Sequence, residues 1–246
     1  MEAIDIVRKA RNPNRLKSKD YIKYLCKPFV EFHGDRLYSD DKAIVAGIGM
    51  IDEHSVVIIG QQKDCNFGMS NPEGYRKVLR LIDYAQKYKM PVITLIDTPG
   101  ADCGIEAEQR GQSGAIANCI YKFSQLKIPT LSIVIGEGGS GGALALGVTD
   151  ELWMLENSVY SILSPEGFAS ILWRDTNKKD EAAKLMRLTS QELMEDGFVD
   201  NIIREDGGEL YHLKNEILKF LEKNYLISTD KILKKRHSKY RKILGG

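Results

Sequence analysis

Residues 136–142 read GEGGSGG, five glycines in seven positions. The apolar run 131–135 leads in and predicts a buried strand. The small-residue run 143–148 leads out and predicts the start of a helix. Glycine inside an element costs about 1 kcal/mol against alanine. So dense a cluster at one strand-to-helix turn therefore implies a compensating gain. Two gains fit the pattern. One is close packing of helix against strand. The other is a set of main-chain N–H groups aimed at a ligand, which can hold a developing oxyanion without a side chain.

A sister turn, Asp97-Thr98-Pro99-Gly100-Ala101, follows a short apolar run at 92–96, and a helical pattern runs from about Glu106 to Leu126. The repeat of buried strand, tight turn and helix predicts parallel strands with both turns on one edge of the core. Upstream, 42–50 and 55–61 read as two strands around Asp52-Glu53-His54. Pro72 and Glu73 open a helix with Tyr75, Val78, Leu79, Ile82 and Ala85 on its apolar face and Arg76, Lys77 and Arg80 opposite. Downstream come two strand-like runs within 152–163, a helix capped by Ser164 and reaching Trp173, and short helices over 179–188 and 190–196, the second capped by Ser190. Gly197 stops it. A short strand (199–203), an amphipathic helix (210–225) and a basic helix from Asp230 to Leu244 complete the chain. Residues 1–33 read as helical. With no linker in view, the expectation is one domain over 1–246, with helical segments at 1–33 and about 208–246.

Several function classes fit poorly. A net charge of +1 gives no general case for nucleic acid or membrane binding, and no apolar run is long enough to span a bilayer. The N-terminus is charged, unlike a secretory leader. Cys26, Cys65, Cys103 and Cys119 form no CxxC pair, which fits free thiols in a reducing cytoplasm and no metal site in this chain. The turn around Ser140 matches G-x-S-x-G, but a serine hydrolase needs a histidine and an acid in reach, and His33, His54, His212 and His237 are not arranged for that. DTPG resembles the magnesium-binding turn of GTPases, yet no Gly-Lys-Ser/Thr phosphate loop exists. The basic groups Arg76, Lys77, Arg80 and the C-terminal lysines fit a phosphate-bearing substrate, an acidic partner or plain solvated faces. Trp153, Trp173 and Phe168 read as core or subunit contacts.

Six blocks carry a resemblance: FHGDRLYSDDKAIVAGIG (32–49), NFGMSNPEGYRKVLRL (66–81), KMPVITLIDTPGA (89–101), EAEQRGQSGAIA (106–117), VIGEGGSGGALALGV (134–148) and YSILSPEGFASILW (160–173). Together they closely resemble the carboxyltransferase alpha subunits of bacterial acetyl-CoA carboxylase. The resemblance implies an α/β, crotonase-like fold, a spiral of ββα units with peripheral helices. It implies transfer of a carboxyl group from carboxybiotin, on a biotin carboxyl carrier protein, to acetyl-CoA. The product is malonyl-CoA, the committed step of fatty-acid synthesis. It further implies a beta subunit carrying a zinc ribbon, an α2β2 assembly with shared active sites, a cytoplasmic setting, and a separate biotin carboxylase that uses ATP. The backbone N–H groups of Gly141 and Gly142 would form the oxyanion hole for biotin, and no side-chain base is required. Gly138, Gly139, Ser140, Gly100, Ala101, Arg76 and Arg110 would contribute to substrate binding.

The chain departs from the family's pattern twice: only Asp64-Cys65 separates Lys63 from Asn66, and Asp102-Cys103 replaces the usual Tyr-Pro. Two further readings accompany the first: a non-catalytic alpha-like chain that pairs with and regulates the beta subunit, or a carboxyltransferase for another acyl-CoA.

Overall fold

The computed structural model describes residues 1–225 and 227–243. Leu244, the expected end of the basic helix, lies outside the described residues. The chain begins with helices α1 (Ala3–Ala10) and α2 (Ser18–Leu25), then strand β1 (Phe29–Glu31). The expectation of helix through residue 33 is corrected here. Pro28 removes an N–H and disfavours helix in the residue before it, so α2 stops and the chain turns into an edge strand. Strands β2 (Ile44–Ile51) and β3 (His54–Gln61) pair antiparallel around the expected turn. Helix α3 (Pro72–Tyr88) leads to β4 (Val92–Thr98).

Between the two turns, α4 (Ile105–Gln109) and α5 (Gln112–Gln125) replace the single helix expected over 106–126. Gly111 breaks it at φ 85°, a conformation that favours glycine. Strand β5 (Thr130–Gly139) runs on through Gly139, further than the apolar run indicates, and α6 (Ser140–Gly147) follows at once. Then come β6 (Glu151–Leu155), β7 (Val159–Ser161), α7 (Pro165–Trp173), α8 (Lys179–Met186), α9 (Ser190–Glu195), β8 (Asn201–Ile203), α10 (Glu209–Tyr225) and α11 (Thr229–Ile243). Ser164 caps α7 as expected, its side chain accepting from the Gly167 N–H. The cap of α9 is Thr189 instead of Ser190: Thr189 and Glu192 form a reciprocal capping box, which satisfies two free donors at once.

The sheet order is β1-β2-β3-β4-β5-β6-β8, with β7 paired to the far end of β5. From β3 onward the neighbouring strands are parallel. Alternate residues feed two cores. Ile59, Val92, Ile96, Val134 and Met154 face α3, α5 and α6, while Ile58, Ile93, Leu95, Ile133 and Trp153 face α2 and α10. Strands buried on both faces read as continuous apolar runs, which is why 131–135 shows no alternation. One expectation fails inside α3. Lys77 is not on a solvated side; it is 1% exposed, and its ammonium donates to Asp40 at 2.6 Å and to the Asp41 carbonyl at 2.8 Å.

Candidate active site

Parallel pairing brings the two turns together: β4 and β5 lie side by side, with Thr98 opposite Gly138. The glycines of the second turn do different jobs. A Cβ on Gly136 would sit 2.5 Å from an Asp97 carboxylate oxygen, and one on Gly142 would sit 2.5 Å from the Ala101 nitrogen. On Gly138 it would strike the Tyr160 ring, and on Gly139 the Pro99 carbonyl. These four are glycine because other atoms approach too closely for a side chain. Close packing therefore accounts for most of the cluster. Gly141 differs: its nearest neighbour would be a methyl of Ile116 at 3.7 Å, an ordinary contact.

Helix α6 begins directly from the strand. The first amides of a helix have no partner within it. Among the described residues no side chain caps α6, and no loop carbonyl accepts from Ser140, Gly141 or Gly142. Ser140 is exposed, Gly141 half-buried and Gly142 buried. Ser140 has φ 54°, left-handed and strained for a residue with a Cβ. Gly100 and Ala101, half-buried, lie against Gly142. The result is a helix start with free donors, walled by a second backbone turn.

Charged side chains support the ends of the strands. The Lys63 ammonium donates to Glu137 at 2.6 Å and to Asp97 at 3.2 Å, and the Asp97 carboxylate also accepts from the Glu137 N–H at 3.0 Å. Arg11, just past α1, donates to Glu137 at 2.7 Å and to Glu166 at 2.9 Å. Burial pushes the Asp97 carboxyl above the ordinary range although Lys63 pulls against it. Burial acts on Glu137 too, but Lys63 and Arg11 outweigh it and hold the carboxyl below its ordinary value. The sequence reading missed Arg11, Gln61, Lys63 and Glu137 as site residues. The one available signal was a polar QQK ending an apolar strand.

Arg76 and Arg110 are not brought to the glycine turn by any hydrogen bond or ion pair among the described residues. They form their own cluster. Arg76 donates to Asp35 at 2.8 Å and to the Arg110 carbonyl at 2.9 Å; Arg110 donates to Glu73 at 2.7 Å and lies 4.9 Å from the Tyr38 ring centre. Asp35 also accepts from the N–H groups of Leu37, Tyr38 and Ser39, which shapes a loop with Leu37 and Tyr38 exposed. The basic C-terminal helix is likewise not simply solvated. Arg236 is completely buried, paired with Asp150 at 2.8 Å and donating to the carbonyls of Phe123, Leu126 and Ile128.

The two departures noted in the sequence meet in space. Asn66 donates to the Asp102 carboxylate at 2.9 Å, tying the short loop to the sister turn. Asn66, Phe67 and Gly68 are all left-handed, and Phe67 is 67% exposed. Cys103, next to Asp102 in sequence, is exposed. The hydrolase reading finds no base. His33 lies beside Asp40, His212 beside Asp206 and His237 beside the Ser124 carbonyl. His54 opens β3, at the opposite end of the sheet from Ser140. No cluster of His, Cys, Asp or Glu able to hold a metal occurs among the described residues.

A largely parallel sheet ending at two touching backbone turns, one of them a helix start with open amides, is the crotonase-like architecture found in acyl-CoA carboxyltransferases. The fold is similar to that of transcarboxylase 12S, solved with methylmalonyl-coenzyme A and methylmalonic acid bound. The TM-score is 0.77 at 18% identity, covering 89% of this chain and 44% of that one. Within that class, the chain belongs to the family described as acetyl co-enzyme A carboxylase carboxyltransferase-like, which it matches over residues 1–244. It is 50% identical over 250 residues to the acetyl-coenzyme A carboxylase carboxyl transferase subunit alpha of Clostridium botulinum, covering 95% of this chain and 91% of that protein. It is also 50% identical to a Clostridium tetani protein named as subunits beta/alpha, covering 95% of this chain and 44% of that one.

Proposed function

We propose that this chain is the alpha half of a biotin-dependent carboxyltransferase. It would move a carboxyl group from carboxybiotin, presented by a biotin carboxyl carrier protein, to acetyl-CoA. The observation that supports this most is the start of α6, Ser140 to Gly142, whose N–H groups have no side-chain cap or loop acceptor among the described residues, beside the Gly100–Ala101 turn. Bound biotin supplies the carboxyl group on its ureido ring, whose oxygen gains negative charge as that group leaves. Fixed amides at a helix start suit such an oxygen, because they already point where the charge grows. The absence of side-chain bulk at Gly141 leaves room for a flat ring above it. Removal of one donor of this kind typically costs roughly 3–4 kcal/mol of barrier. The chain's part is therefore to bind, orient and stabilise through its backbone.

A beta subunit completes the site in this reading. A relative whose single polypeptide bears both names supports that partner. Exposed Ile105 and Leu144, near the two turns in sequence, and Ile162, just past the strand β7 that pairs with the end of β5, offer apolar surface for it. An α2β2 assembly, zinc held on the beta subunit, a separate ATP-using biotin carboxylase, and a cytoplasmic setting for fatty-acid synthesis belong to the same proposal. No helix among the described residues is long and apolar enough to cross a membrane.

The test is malonyl-CoA-dependent carboxylation of biocytin by the chain with and without a beta subunit. Turnover by the pair alone supports the proposal. Tight pairing without turnover points instead to a regulatory alpha-like chain, and turnover by the isolated chain contradicts both. A rate that is higher with another acyl-CoA would move the substrate assignment.

A further inference from the structure

Gln61 is the last residue of β3 and is completely buried. Its side-chain amide reaches both turns. Nε2 donates to the Gly142 carbonyl at 2.9 Å, and Oε1 accepts from the Asp97 N–H at 3.2 Å. Asp97 lies where the pairing of β4 with β5 shifts register, between Ile96 and Thr98. Such a bulge leaves a main-chain group outside the ladder, and bulges occur beside active sites. Here Gln61 takes the displaced donor. The backbone of Gln61 is itself held, since the Ser18 hydroxyl donates to its carbonyl at 2.6 Å. One planar amide thus sets the separation between the DTPG turn and the first turn of α6. An apolar side chain of the same volume would fill this place without needing partners, so packing alone does not explain a glutamine.

We propose that Gln61 is a positioning residue for the carboxyl transfer. It fixes the first turn of α6 so that the Gly141 and Gly142 amides meet the developing oxyanion at hydrogen-bond distance. The inference rests on the function proposed above. Gln61 contacts no reacting atom; it acts through Gly142 and Asp97. Misaligned donors lose stabilisation that exists only in the transition state, which lowers kcat and leaves KM nearly unchanged.

Two variants test this. Gln61→Met keeps the volume and removes both bonds. Gln61→Glu keeps the shape. As a carboxylate it still accepts from Asp97 but faces the Gly142 carbonyl with like charge; once protonated it donates there as glutamine does. Among the described residues, the charged groups around this end of the sheet include Asp97 from β4, Glu137 from β5, Lys63 after β3, Arg11 after α1 and Glu166 from α7, with Asp64 and Asp102 on the adjoining loops. Burial and a neighbouring acid raise the pKa of a carboxyl placed at position 61. Steady-state kinetics of wild type and both variants, each paired with the beta subunit, are measured between about pH 6 and pH 8.

For Gln61→Met, kcat is expected to fall about 10- to 100-fold with KM values within about threefold. For Gln61→Glu, the ratio of its kcat to that of wild type rises at least about fivefold as pH falls across that range. A Gln61→Met kcat within about twofold of wild type, or a flat Gln61→Glu ratio, overturns the proposal. If Gln61→Met does not fold, the Gln61→Glu ratio decides alone. A wild-type pair without turnover counts against the proposed function, whereas an active wild type with unimpaired variants counts against Gln61 only.

Discussion

Gly142 lies directly beneath the peptide joining Gly100 to Ala101: a Cβ on Gly142 would stand 2.5 Å from the Ala101 nitrogen and 2.6 Å from the Gly100 carbonyl carbon. Gly141, one residue earlier, has only an ordinary 3.7 Å contact. The two glycines therefore fail differently. Gly142→Ala forces the two turns apart and is expected to lower stability by about 1–3 kcal/mol together with activity. Gly141→Ala is expected to keep the melting temperature within a few degrees while placing a methyl at the proposed biotin position, so activity falls at least about tenfold. Thermal melts and carboxylation rates on the two proteins check this. Equal stability losses would contradict the assignment. A bulky group at Gly142 thus disrupts the sister turn.

Lys63 is the shared cation of two buried carboxylates, Asp97 and Glu137. Lys63→Met leaves both facing each other with Arg11 alone to compensate, on Glu137. A loss of about 3 kcal/mol is expected, as for one partner removed from a buried pair. The sign of its pH dependence follows from Asp97, whose carboxyl burial already pushes up. Without Lys63 that shift grows. A carboxyl with a raised folded pKa favours the folded state at low pH and loses that contribution as pH rises through the folded value. The difference in melting temperature between wild type and Lys63→Met should therefore shrink from pH 8 toward pH 5. A constant difference would contradict this.

Much of the fold was legible in the chain. The apolar runs ending at Ile96 and Ile135, each followed by a turn and a helix, led to two parallel strands with touching ends. The breaks were less legible. Gly111 interrupts a helical pattern without disturbing its apolar spacing, and Pro28 sits where apolar residues still recur. Charges were the weakest point, because a lysine or arginine in a periodic helix looks solvated until its partner is known. The partner of Lys77 is Asp40, and that of Arg236 is Asp150, 86 residues away. Arg11 meets Glu137 across 126 residues, a contact that no local pattern announces. The glycine cluster was correctly placed, but its main cause is packing against Asp97, Tyr160, Pro99 and Ala101, which becomes visible only once the turns face each other.

Asp35 gives an acid-side test away from the glycine turn. Burial opposes its ionisation, but the Tyr38 and Leu37 N–H groups and the Arg76 guanidinium prevail and bring its carboxyl down to about 2. A depressed carboxyl stabilises the folded state above its unfolded pKa of about 3.9, and that contribution is lost as pH falls through the folded value. Asp35→Asn should therefore melt below wild type at pH 6, and the gap should close as pH falls from about 4 toward 2. A gap that persists unchanged at the acid end would show that Asp35 acts by shape alone.

The proposed chemistry depends on where the ureido oxygen of biotin rests. A structure of the chain assembled with its beta subunit and bound to biotin measures the distance from that oxygen to the nitrogens of Gly141 and Gly142. The expected result is at least one of the two at about 2.7–3.1 Å, with the beta subunit forming the opposite wall. An oxygen beyond hydrogen-bond reach of both, or carbonyls of the beta subunit occupying those nitrogens, would contradict it.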